Sequence, residues 1–192
     1  MVDVEKPVWL LDVDGVVNTT RPGWGGPPRR TSVWSGADKT SYVIRWAPAL
    51  IDRIRDLHLA GAVEVRWCTT WCPEAERLER LWGLPPLVRT LDAEPMPRGS
   101  DCWPLKLAAA RYVLASGHRL IWTDDEALPE PGPVREELTA GGRALLIAPR
   151  ANRGLQPEEL DHIARFAAGR RLPTYRSAGR HRYSVERPIE KL

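Results

Sequence analysis

The sequence predicts an α/β fold in which a parallel sheet carries helices on both faces. Short apolar runs alternate with stretches of helical spacing along most of the chain, the pattern of strands joined by crossover helices. The first run, Val8 to Leu11, is apolar at every position, as expected of a strand buried on both faces. A third observation places chemistry on this frame. Successive runs end in Asp12 and Asp14, in Thr69 and Thr70, and in Asp124 and Asp125. In a parallel sheet such ends share one edge, and open α/β sheets bind ligands there.

The elements follow in order. The first strand runs into Asp12-Val13-Asp14-Gly15, where the glycine permits a sharp turn. Asn18 to Ser41 is rich in Gly, Pro, Arg and Thr, so it reads as a long excursion or a short β-flap over about 18–45. Tyr42 to Trp46 suits a short strand. Pro48 opens a helix with Leu50, Ile51, Ile54 and Leu57 at helical spacing, and Gly61 ends it. Val63 to Cys68 is the second core strand, followed by a helix from Pro73 that Pro85 and Pro86 close. Leu87 to Leu91 reads as a short strand and Asp92 to Asp101 as a loop. A helix over Pro104 to Ala115 leads into a strand at Leu120 to Trp122. Helix, strand and helix follow at Pro133 to Ala140, Ala144 to Ala148 and Pro157 to Ala168.

The 192 residues suit one domain, here 1–168, with a tail over 169–192. The tail carries seven Lys or Arg against Glu186 and Glu190. With a net charge of +3 over the whole chain, the remainder is slightly acidic. Such a basic end reads as flexible, with solubility or attraction to a polyanion as its uses. No apolar stretch approaches the length of a membrane span, and the polar, acidic start does not resemble a signal peptide, so the expected location is the cytoplasm. Cys68, Cys72 and Cys102 are odd in number and lack zinc-site spacing, which favours free thiols. The four histidines show neither ligand nor triad spacing.

Side chains two apart on a strand point the same way, which would put Asp12 and Asp14 in one space. Two carboxylates about 4 Å apart repel by roughly 4 kcal/mol at an effective dielectric near 20, so the pair needs a cation or a proton. Mg²⁺, a hard ion that prefers oxygen ligands, is the simplest candidate. Lys106 falls in the first turn of a helix, where the helix dipole disfavours it, and a function would explain its position. Carboxylates, a metal, hydroxyls and a lysine together suit a phosphate.

These residues resemble the haloacid dehalogenase (HAD) superfamily of phosphohydrolases. Asp12-Val13-Asp14-Gly15-Val16-Val17 is similar to its first motif, Thr69 to its second, Lys106 to its third and Asp124-Asp125 to its fourth. The Asp-Val-Asp-Gly-Val-Val-Asn opening and the Cys-Thr-Thr-Trp turn most resemble stand-alone bacterial members related to HAD domains of RNA-repair proteins. The resemblance implies a three-layer Rossmann-like sheet and Mg²⁺-dependent hydrolysis of a phosphomonoester. Asp12 would form an aspartyl-phosphate, and Asp14 would protonate the leaving oxygen and then activate water. Thr69 and Thr70 would bind phosphate oxygens, and Lys106 would neutralise charge on nucleophile and phosphoryl group. The expected metal ligands are Asp12, Asp14, the Val13 carbonyl and one of Asp125 and Asp124, with Asp125 the first choice.

HAD enzymes often carry a cap domain, yet the intervals Val16 to Arg66 and Trp71 to Leu105 leave room only for a small flap and no large cap. The resulting open site suits a nucleotide, a polynucleotide end or another bulky phosphorylated substrate. Trp9, Trp67 and Trp122 fall in strands and fill core space. Trp24 and Trp34 lie near Arg21, Arg29 and Arg30, so they either fold the flap onto the body or, with the basic tail, meet nucleic acid. A non-catalytic HAD-like module that binds nucleic acid or a protein partner is the competing reading. Phosphotransfer or dehalogenation through the same nucleophile is a third.

Overall fold

A computed structural model of the chain describes residues 6–169. The basic segment over 169–192 therefore lies outside the described residues except for Gly169. The sheet has five parallel strands: β1 (Val8–Leu11), β4 (Glu64–Trp67), β5 (Val88–Arg89), β6 (Leu120–Thr123) and β7 (Ala144–Ile147). Their spatial order is β5-β4-β1-β6-β7. β1 is central and fully buried, with Val8 opposite Glu64 on one side and Leu120 on the other. The chain leaves β1 toward β4 and β5, then crosses back to β6 and β7. The reversal of strand order between β1 and β6 is the switch point at which doubly wound, Rossmann-like sheets open a crevice.

Among the described residues five helices flank the sheet: α1 (Pro48–Leu59), α2 (Ala75–Trp82), α3 (Trp103–Ala115), α4 (Pro133–Thr139) and α5 (Pro157–Ala167). α1 packs on β4 and against α5, while α3 packs on β6 and against α4, so two helix pairs cover the sheet. Proline stands in the first turn of α1, α3, α4 and α5, where a missing N–H costs nothing. The helix expected from Pro73 begins instead as a 3-10 turn at Cys72–Glu74. It ends not at the prolines but at Gly83, whose left-handed φ of 62° caps α2. No described helix is long and apolar enough to cross a membrane.

The excursion after β1 forms an antiparallel hairpin of β2 (Arg29–Ser35) and β3 (Thr40–Trp46), longer than the strand read from Tyr42 to Trp46. Val33, Ile44 and Trp46 turn inward, and Trp46 meets Trp82 of α2 edge to face at 6.3 Å. Before the hairpin, Trp24 donates its indole N–H to the Leu155 carbonyl at 2.8 Å, which fastens the excursion to the body. Trp34 on β2 remains 46% exposed. Trp9, Trp67 and Trp122 are fully buried, as their strand positions implied, and the three cysteines are free and buried.

Candidate active site

The edge at the C-terminal ends of β1 and β6 gathers the ionisable groups. Pairing of β1 with β6 stops at Leu11 and Thr123, so Asp12 and Asp124 leave adjacent strands side by side. Asp12 is 7% exposed and Asp124 is fully buried. Lys106, at the start of α3, reaches between them: its Nζ lies 3.0 Å from Asp12 Oδ2 and 2.7 Å from Asp124 Oδ2. Burial by itself would lower the lysine pKa, but the two carboxylates outweigh it and hold the ammonium protonated, well above its ordinary value. The apparent misplacement of a lysine near a helix N-terminus is thus repaid by two buried charge partners.

Asp125 completes the cluster. Single carboxylate oxygens of Asp12, Asp124 and Asp125 lie within 4.8 Å of one another. Burial, then the Asp124 charge, pushes Asp12 up to about 7 against the opposing pull of Lys106. Asp125 is likewise raised to about 7 by burial, then by Asp124 and Glu126. One ammonium does not offset three crowded carboxylates, and a divalent ion with oxygen preference answers that imbalance. The three carboxylates could therefore hold a metal ion. Between the two aspartates of the pair, Asp124 is the more occupied: its Oδ1 accepts N–H bonds from Glu126 and Ala127, and its Oδ2 takes Lys106. Asp125 sits over Gly15, and a Cβ there would fall 2.1 Å from Asp125 Oδ2, so the glycine clears space for this carboxylate. Gly15 also turns at a φ of 70°, which a side chain would disfavour.

Asp14 shares a cleft with Asp12, as expected, but stands outside the three-carboxylate cluster. The strand ends at Leu11, so the two-residue alternation does not extend to Asp14, and its carboxylate is not part of the metal-suited cluster. It is exposed instead on the same cleft, with Oδ2 accepting the Trp71 indole N–H at 2.8 Å and Oδ1 the Asn18 amide N–H at 2.6 Å. The Val13 carbonyl also differs from expectation. It accepts N–H bonds from Val16, Val17 and Asn18 within the turn, which leaves it engaged rather than open to an ion. Thr69 is 1% exposed, and its hydroxyl accepts the Trp71 N–H at 3.3 Å. Thr70 lines the cleft, as does Ser100.

The cleft is open and encloses about 760 Å³, with Asp12, Asp14, Thr70, Lys106 and Asp125 on its walls. A second cleft of about 840 Å³ adjoins it, sharing Asp14, Thr70 and Gly99. Sequence reasoning missed Trp71 and Asn18, the two residues that aim Asp14. Asn18 falls four residues after Asp14, and Trp71 closes the Thr-Thr-Trp turn. Both signals were on the chain, although nothing local identifies their partner. Comparison with family models, with curated proteins and with solved structures finds no match to the chain.

Proposed function

We propose that the protein is a Mg²⁺-dependent phosphomonoester hydrolase that works through an aspartyl-phosphate on Asp12. One observation carries the reading: a buried carboxylate paired with a buried lysine stands at the switch point, with two more carboxylates beside it and Asp14 across the same cleft. The sequence resemblance to HAD phosphohydrolases points to the same chemistry.

In this reading Asp12 attacks phosphorus, forming an Oδ–P bond as the ester P–O bond breaks. Asp14 gives its proton to the departing oxygen, and Trp71 and Asn18 hold it in place for that transfer. Water then attacks the phosphorylated Asp12, Asp14 takes the water's proton, and inorganic phosphate leaves with the carboxylate restored. Lys106 holds the nucleophile and balances charge gathering at the phosphoryl oxygens, while Thr70 offers a hydroxyl from the lining of the same cleft. Held by Asp12, Asp125 and Asp124, Mg²⁺ would supply Lewis-acid charge neutralisation. The β2–β3 hairpin is read as the small flap of the site.

The test is hydrolysis of an aryl phosphate with and without Mg²⁺. Asp12→Asn is expected to lower the rate by about a thousandfold or more while leaving the circular dichroism spectrum unchanged. Wild-type turnover in that variant refutes the nucleophile assignment.

A further inference from the structure

We propose that the second cleft holds the leaving group and selects phosphomonoesters whose alcohol carries a positive charge, as an amino alcohol does. The proposal rests on the hydrolase reading and adds the substrate class. Phosphorus must lie beside Asp12 and Lys106 in the first cleft, and the oxygen that Asp14 protonates belongs to the leaving alcohol. Asp14 stands where the two clefts meet, so the rest of that alcohol extends into the second one.

The lining of the second cleft then decides what the alcohol can be. Tyr42 of the hairpin and Trp71 form an edge-to-face pair on its wall, with centroids 5.5 Å apart. Besides Asp14, four carboxylates, of Asp38, Glu74, Asp92 and Glu94, line it together with the guanidiniums of Arg89 and Arg98. Arg98 is already paired with Asp38, and Glu74 with Arg77. Asp92 and Glu94 are exposed and make no ion pair among the described residues. The exposed Tyr42 ring and the unpaired carboxylates of Asp92 and Glu94, on one cleft, are groups that attract an ammonium. A polynucleotide end would instead bring further phosphates against the same carboxylates, so this cleft disfavours the nucleic-acid substrates that the open site and basic tail suggested.

The experiment compares kcat/KM, with Mg²⁺, for phosphoethanolamine and phosphocholine against glycerol 3-phosphate, 3-phosphoglycerate and a 5′-phosphorylated oligonucleotide. The cationic compounds should lead glycerol 3-phosphate by about tenfold, with the anionic compounds slower still. Joint replacement by Asp92→Asn and Glu94→Gln should shrink the cation-to-anion ratio to within about threefold. The same compounds are titrated calorimetrically into Asp12→Asn, which reads the cleft without turnover and should give the same order of affinity. Equal or better turnover and binding of the anionic compounds overturns the cleft assignment, whatever the aryl phosphate does. Aryl phosphate hydrolysis that is absent, or that persists in Asp12→Asn, overturns the hydrolase reading, and the calorimetric order then decides the cleft alone.

Discussion

Lys106 contacts two buried carboxylates contributed by different strands, so its removal leaves both without a cation. Lys106→Met is expected to destabilise the metal-free protein by about 3–5 kcal/mol in urea denaturation, because unpaired buried charge costs more than the lost attraction alone. A change below about 1 kcal/mol would mean that a proton or water already compensates the site. Asp12, Asp124, Asp125 and Lys106 were legible in the sequence because each lies within a turn of a strand end or helix start, where position fixes direction. The separation of Asp14 from that cluster and the engagement of the Val13 carbonyl were not, because sheet pairing stops at Leu11 and the following turn, rather than the pleat, sets where they point. That Thr70 rather than Thr69 lines the cleft was hidden for a similar reason. A hydroxyl just past a strand can cap its own turn, and that of Thr69 does.

At the scale of elements, the Asn18 amide is one tie between the hairpin and the site. Asn18 donates to Asp14 and accepts the Arg45 N–H of β3 at 2.8 Å, so the base of the hairpin and the proposed proton donor share a side chain. Asn18→Ala should lower kcat for an aryl phosphate by about tenfold, the worth of a hydrogen bond to a charged group, with little change in melting temperature. An unchanged kcat would show that Trp71 orients Asp14 unaided. Strand and helix order was readable along the chain because apolar period and proline placement are local signals. The end of α2 was misplaced because Gly83 can adopt a left-handed cap two residues before the prolines act. The full length of β2 was hidden because its outward residues, Arg29, Arg30, Ser32 and Trp34, give no apolar alternation.

Across the whole molecule, the carboxylate cluster couples stability to pH. Asp12 and Asp125 are raised to about 7 from an ordinary 3.8, so folding favours their protonated forms. Their contribution is complete below the unfolded value and is lost as pH rises through about 7. His58, lowered by burial, acts in the opposite sense as pH falls below its ordinary value, but it is only one partly buried group. Without divalent ions the melting temperature should therefore fall by about 5 °C or more between pH 5.5 and 8, and millimolar Mg²⁺ should remove most of that decline. A metal-free melting temperature that rises over this interval contradicts the assignment. The strand order has a different consequence. Asp12 and Asp124 issue from the buried centre of the sheet, whereas the second cleft is walled by the hairpin tip and the segment around Asp92 and Glu94. On the proposed reading, reaction machinery and selectivity occupy separable stretches of chain. Substitutions in 35–42 and 91–99 can redirect which alcohol enters while the reacting carboxylates keep their places, which gives the fold room to change clients without relearning its chemistry.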